Sequence, residues 1–166
     1  MGAEFDEWAV ARGPALIRFG YLLTGDRQLA QDLSQEALTR VHRRWRRLAD
    51  EGNPDAYARK IMVNQLTSWR RRRSFSERVT DTAELPTTTI EFDQTAIDRQ
   101  ALWVTIQSLP TRQRAVVVLH FYEDLDDDAI ARILGCAAST VRVHLRRALA
   151  ALRTHPVTRD FAGRTP

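Results

Sequence analysis

Four basic side chains fall within six residues near the C-terminal end: Arg142, His144, Arg146 and Arg147, in the stretch STVRVHLRR (139–147). Nearly all the positive charge of the chain is arginine, since Lys60 is its sole lysine. A guanidinium presents a planar fork of donors that matches phosphates and guanine edges, and its charge does not titrate away. The chemistry on offer is therefore recognition of a polyanion rather than catalysis. His42, His120, His144 and His155 lie on separate segments with no metal-ligand spacing such as HExxH. No phosphate-binding glycine loop, nucleophile elbow or paired-carboxylate motif occurs. An enzyme is not expected, and neither a metal, a cofactor nor a small-molecule substrate is implied.

The elements that position this cluster can be read from periodicity. Residues 127–134 and 139–153 form two amphipathic helices joined by Gly135-Cys136-Ala137-Ala138. The first buries Ile130, Ile133 and Leu134; the second buries Val141, Leu145, Ala148, Leu149 and Leu152. Gly135 stands where a helix ends in a left-handed residue before a sharp turn, as a helix-turn-helix requires. At about 100° per residue, Ser139, Val143, Arg146 and Arg147 point away from the buried stripe, with Arg142 and His144 beside them and Thr140 near the edge. Ser139 or Thr140 is expected to cap this helix. Small polar residues, a methyl-bearing side chain and then arginines suit a DNA major groove. The three aspartates before the pair fit locally: Asp126 as N-cap, Asp127 and Asp128 in the first helical turn, where anions complement the helix dipole. Leu125 and Ile130 have the spacing of a hydrophobic staple.

The remaining chain also reads as helix. Apolar spacing predicts helices over 5–23, from about Asp26 to Ala49, from Pro54 to about Arg73, from Thr95 to Leu109, and from Thr111 to about Tyr122. Asn53 is a plausible N-cap with Pro54 in the first turn. On the third of these, Tyr57, Ile61, Met62, Leu66 and Trp69 are expected inward. Residues 74–94 lose periodicity and are read as a flexible acidic linker. Net charge follows this division: +5 over 1–74, −4 over 75–100 and +3 over 101–166. Charge alone does not separate two nucleic-acid-facing modules from solvated arginine-rich helices. The single cysteine, Cys136, rules out an internal disulfide and fits a reducing cytoplasm, with the residue filling the turn. The acidic N-terminus is not a signal peptide, and no apolar run is long enough to span a bilayer.

Two stretches carry a family resemblance. The segment SLPTRQRAVVVLHFYEDLDDDAIARILGCAASTVRVHLRRALAALR resembles the C-terminal domain of extracytoplasmic-function (ECF) sigma factors of the sigma-70 family, through Leu109-Pro110, Arg114, Ile130-Ala131, Leu134-Gly135 and Thr140-Val141-Arg142. Independently, DLSQEALTRVHRRWRRL is similar to the family's polymerase-clamp segment, and NPDAYARKIMVNQLTSWRRRR to the segment that melts and reads the −10 element. The wording around HFYEDLDDDAIA is most like an actinobacterial subgroup.

The resemblance implies an all-α protein of two small helical domains joined by the acidic linker. Its divisions are 1–74 for polymerase binding and −10 recognition, 75–94 for the linker, 95–155 for the helix-turn-helix that reads the −35 element, and 156–166 for a tail. It implies that Asp32, Gln35 and Glu36 contact the β′ clamp of core RNA polymerase, with the β flap as a further contact. Glu36 equally has the spacing to pair with Arg40. It places Asn53, Tyr57, Arg59, Lys60, Asn64, Trp69, Arg70 and Arg71 at −10 DNA, although the spacing of Tyr57 and Trp69 also fits core positions. It places Ser139, Thr140, Arg142, Val143, His144, Arg146 and Arg147 at the −35 element. Ser139 and Val143 depart from the family's common glycine and serine, which bears on the DNA sequence read. Promoter DNA and core polymerase are the implied partners, an anti-sigma factor is a further one allowed, and the location implied is the cytoplasm. The linker's negative charge can mimic nucleic acid in a basic channel. The rival reading is a helix-turn-helix regulator that acts without polymerase, with an unrelated sensor domain at its N-terminus.

Overall fold

A computed structural model describes residues 2–76 and 94–155. Those residues form eight helices, with no strand among them: α1 (Gly2–Thr24), α2 (Arg27–Arg43), α3 (Trp45–Asp50), α4 (Pro54–Ser76), α5 (Gln94–Ser108), α6 (Thr111–Phe121), α7 (Asp127–Leu134) and α8 (Ala138–Thr154). Most of the proposed linker and the tail lie outside the described residues.

The local signals that start and stop these helices behave as their chemistry dictates. Asp26 caps α2, its carboxylate accepting from the Leu29 amide at 2.9 Å. Asn53 caps α4, accepting from the Ala56 amide at 3.1 Å, with Pro54 in the first helical position where its missing N–H costs nothing. Asp126 caps α7, accepting from the Ala129 amide at 2.7 Å. Leu125 packs against the core beside buried Ile130, as a staple does. Gly135 ends α7 at φ +65°, a left-handed conformation in which a Cβ would be strained. Removing the α7 cap with Asp126→Ala is expected to lower stability by about 0.5–2 kcal/mol, read as a reduced urea midpoint with an unchanged slope.

Three expectations are corrected. The helix expected from Asp26 to Ala49 breaks at Arg44, whose φ and ψ are −120° and 15°. The break accompanies a turn of Trp45 into an aromatic cluster: its ring lies 5.5 Å from both Phe5 and Trp8, and the Phe5 and His42 rings meet at a tilt with centres 4.7 Å apart. Neither Ser139 nor Thr140 caps α8. The helix begins one residue earlier, at Ala138, with Ala137 as N-cap and no side-chain bond, because the turn after Gly135 is short enough for the Ala137 carbonyl to accept from Thr140 and Val141. Trp69 is 40% exposed rather than inward. Among the α4 side chains described, up to residue 73, the buried positions end at Leu66, so the helix runs on past the core.

α1 and α2 pack closely. A Cβ on Gly20 would stand 3.1 Å from the Ala30 backbone, so glycine is what lets these helices approach. One continuous buried cluster runs through both ends of the chain. It takes Leu16, Phe19 and Leu23 from α1, Leu33 and Val41 from α2, Met62 and Leu66 from α4, Val116 and Leu119 from α6, Ile130 and Leu134 from α7, and Val141 from α8. A smaller cluster of Leu109, Val117 and Ala148 fixes α6 against α8, with Leu145 and Leu152 packed on it. The helix-turn-helix is thus set on a scaffold that includes the N-terminal helices.

Arg114 is the polar centre of that scaffold. It is 1% exposed, and all five of its N–H donors reach oxygen. Nε donates to the Ile106 carbonyl at 3.1 Å. One terminal nitrogen donates to the Leu23 carbonyl at 2.5 Å and to Gln107 Oε1 at 3.1 Å. The other donates to the carbonyls of Gln107 and of Leu109, the latter at 2.9 Å. Four of the five acceptors are backbone carbonyls at or just past the C-terminal ends of α1 and α5, where helices run out of their own donors. Burial, then the nearby charge of Arg70, pushes the Arg114 guanidinium down to about 10, so it remains charged at neutral pH.

Candidate nucleic-acid and polymerase interfaces

The recognition helix α8 presents Ser139, Arg142, Arg146 and Arg147 to solvent, while Thr140, Val143 and His144 are half-buried. Val143 is less open than its helical angle predicts, because its neighbours along the helix surface, Ser139, Thr140, Arg146 and Arg147, stand around it. His144 turns its Nδ1 inward, buried and without a protein partner. Burial, then the charges of Arg112 and Arg147, holds its pKa below the ordinary histidine value and favours the neutral ring. Arg112, at the start of α6, donates to the Leu134 carbonyl at 3.5 Å and belongs to the same basic surface. Sequence reasoning passed over it because it lies some thirty residues from the recognition helix and comes beside it only through the α6–α8 packing.

The aspartates divide their roles. Asp126 caps, Asp128 is exposed in the first turn, and Asp127 pairs with Arg142 at 3.4 Å across the turn. Asp127 therefore acts on the exposed basic face of α8 itself, holding one of its arginines in a defined place. The contact is exposed enough for a phosphate or a base edge to compete with it.

On α2, Asp32 and Gln35 are exposed on the side away from the core, where Asp32 accepts from Gln28 at 3.2 Å. They line a groove of about 390 Å³ between α1 and α2 that also takes in Gly13, Ile17 and Leu38. Glu36 is half-buried and pairs with Arg40 at 2.6 Å. Its helical pairing is real, and it leaves the second carboxylate oxygen for other contacts.

The α4 residues separate into two sets. Asn53, Asn64, Trp69, Arg70 and Arg71 are exposed. Tyr57 is half-buried against the core with the Arg44 guanidinium 5.7 Å over its ring. Arg59 and Lys60 are half-buried, and both face the C-terminal helices: Arg59 is ion-paired with Glu123, and the Lys60 ammonium lies 3.8 Å from where a Gly135 Cβ would stand. Neither contact has a signal in the sequence. A cleft lined by His42, Arg43, Arg44, Arg46 and Arg47 adds a further basic surface at the α2–α3 break. Among the described residues no cluster of His, Cys, Asp and Glu is able to hold a metal ion, and no helix is long and apolar enough to cross a membrane.

A buried helical scaffold, an arginine-lined helix-turn-helix and a second arginine-rich helix define a transcription protein of nucleic-acid-binding type, and comparison with known proteins makes the class specific. Residues 9–75 match the family model for sigma-70 region 2, and residues 99–152 match that for sigma-70 region 4. The chain is 39% identical to the RNA polymerase sigma-E factor of Streptomyces coelicolor, over 97% of this chain and 90% of the relative. It is 31% identical to the ECF RNA polymerase sigma factor SigL of Mycobacterium tuberculosis, over 92% of this chain and 86% of the relative. In fold it is similar to the sigma factor RpoE of Bartonella quintana, solved in complex with the anti-sigma factor NepR, with a TM-score of 0.69 and 23% identity over 90% of this chain and 94% of that one. The chain belongs to the sigma-70 family, and within it to the ECF sigma factors. It is accordingly an initiation factor that directs RNA polymerase, not an enzyme. The match of residues 9–75 to region 2 fills the place where the rival reading needed an unrelated sensor domain.

Proposed function

We propose that residues 1–74 and 95–155 act as two modules of one promoter-selecting factor in the cytoplasm. The first binds core polymerase through Asp32, Gln35 and Glu36 against the β′ clamp and handles the −10 element through α4. The second engages the β flap and reads the −35 element through α8. The observation that carries the polymerase contact is the α1–α2 groove. Two exposed polar residues, Asp32 and Gln35, rim an open apolar floor of Ile17 and Leu38, which suits a partner helix better than water. For the −35 element the carrying observation is that Arg142, Arg146 and Arg147 share one exposed face of a helix whose position is fixed by Gly135 and the α6 contact.

In this reading, phosphate contacts from Arg112 and Arg147 place α8 in the groove, and Arg142 and Arg146 read base edges. On α4, exposed Trp69 offers a face for an unstacked base, and Asn64 a carboxamide for its edge. No bond of the DNA is made or broken by this chain. Binding energy offsets the few kcal/mol that each flipped base costs. An anti-sigma factor is included among the proposed partners, with the core-binding and DNA-binding faces as the surfaces it would have to cover.

A Gln35→Ala/Glu36→Ala chain is expected to keep its helix content by circular dichroism and to weaken core-polymerase binding by at least tenfold, the effect of losing about 1.4 kcal/mol or more at an interface centre. Co-elution with core polymerase at wild-type affinity would remove this assignment.

A further inference from the structure

Arg142 differs from the other arginines on the exposed face of α8 in one respect. Its Nη1 donates to Oδ2 of Asp127 at 3.4 Å, across 15 residues of sequence, while Arg146 and Arg147 have no acidic partner among the described residues. The pairing holds the guanidinium without covering it, since 62% of the Arg142 side chain stays exposed. A guanidinium carries five N–H donors in a planar fork. This contact engages one terminal nitrogen; the other terminal nitrogen and Nε have no protein acceptor among the described residues.

The carboxylate stands where a helix-turn-helix ordinarily meets the DNA backbone. The first helix of such a pair crosses the backbone and the second enters the groove. The bare amides at the start of a helix can hold a phosphate. The start of α7 is not open in this way. The Ala129 amide is taken by Asp126 at 2.7 Å, and Asp127 and Asp128 place two further carboxylates in the first turn. Of these, Asp127 alone pairs with an arginine of α8.

We propose that Asp127 is a specificity-determining residue: its carboxylate denies Arg142 a DNA phosphate and leaves it the neutral edge of a guanine. The proposal rests on the reading of α8 as the −35 helix. The physical logic is the sign of charge. A phosphate that approaches Arg142 must come to lie beside a carboxylate already in place, and like charges at short range repel. Guanine O6 and N7 are acceptors without net charge, so the carboxylate does not turn them away. Arg142 keeps Asp127 on one part of its fork and meets the base with the rest. An arginine without such a partner is free to take a phosphate, a contact that positions the protein and reads no sequence. Asp127 thus gives up some affinity for DNA in general and gains discrimination at one base pair.

The test uses the full chain. Asp127→Asn keeps the shape of the side chain and removes its charge; Asp128→Asn removes the same charge one residue on, where no arginine is paired. Titration of a random-sequence duplex oligonucleotide at several salt concentrations reports phosphate contacts. Selection by the holoenzyme from a promoter library randomised over the upstream element reports base preference. Asp127→Asn is expected to tighten random-duplex binding by about two- to fivefold, the range spanned by an exposed ion pair. Its salt slope should steepen by about 0.9, the increment of one further phosphate. The guanine preference at one upstream position should fall by a similar two- to fivefold factor, with helix content intact. Asp128→Asn is expected to tighten binding clearly less and to leave that position unchanged. Equal effects of the two substitutions would overturn the pairing as the cause, and an unchanged guanine preference in Asp127→Asn would overturn the role. Arg142→Ala separates this from the reading of α8. If it lowers the preference and Asp127→Asn does not, the proposal alone falls; if neither does, the reading of α8 falls with it.

Discussion

Replacing Arg114 by methionine is expected to lower the stability of the chain by about 2–4 kcal/mol, a large share of the roughly 5–15 kcal/mol that holds a typical domain together. Methionine is similar in length and fills the space, so little of the loss comes from a cavity. The loss comes from the acceptors. The carbonyls of Leu23, Ile106, Gln107 and Leu109 all accept hydrogen bonds from this one guanidinium; the Ile106 carbonyl keeps the Leu109 amide as a donor, and each buried acceptor left bare costs about 1–3 kcal/mol. Part of that is returned, because the depressed pKa shows that burying the charge is itself unfavourable. Arg114→Lys is expected to fall in between, since an ammonium has three donors in place of five and cannot span helix ends on two sides. Urea unfolding followed by circular dichroism measures both. A midpoint shift worth under about 0.5 kcal/mol for the methionine variant, the range of ordinary surface changes, would show that the five bonds are not the polar centre of the scaffold.

The second large effect is expected at the reading surface. Arg142→Ala with Arg146→Ala should weaken binding to the upstream promoter element by about 1–3 kcal/mol for each arginine that reads a base edge, while the fold persists, because both side chains point to solvent. Discrimination among upstream sequences should fall together with affinity. Loss of affinity alone, equal across all sequences, would mark both residues as phosphate contacts instead. Asp127 gives an internal comparison: it pairs with Arg142 and not with Arg146, so its removal should alter selectivity at the position served by Arg142 alone.

Much of this surface is legible in the amino-acid sequence. The stripe Val141, Leu145, Ala148, Leu149 and Leu152 places the arginines of α8 on the opposite side, and Asp126 and Gly135 mark the ends of α7 by capping chemistry that acts within four residues. Asn53-Pro54 announces α4 in the same way. The exposed side of α2 follows from its apolar period. These features are local, and local chemistry decides them. The features without a sequence signal depend on parts of the chain that meet only after folding. The break at Arg44 is set by Trp45 joining Phe5 and Trp8 from α1. Arg114 is visible in the sequence as a family match, but its five acceptors come from two separate stretches, the end of α1 and residues 106–109. Trp69 has the period of a core residue and lies past the end of the core. The pairing of Arg59 with Glu123 has no periodic signal at all.

The three aspartates before the recognition helix illustrate both cases. Asp126 serves the helix dipole and the bare amide of Ala129, as its position predicts. Asp127 also restrains Arg142 on the exposed face of α8, a contact that exists because Gly135 turns α8 back across the start of α7. Negative charge placed there does not oppose the proposed DNA recognition; it orders one of the side chains proposed to perform it.

The central claim is that this chain selects promoters in company with core RNA polymerase. It is tested most directly by transcription from a genomic DNA library with purified core polymerase, with and without the chain, mapping the start sites. New start sites that depend on the chain and share an upstream and a downstream element are the result expected. No new start sites, together with no binding of the chain to core polymerase, would contradict the account.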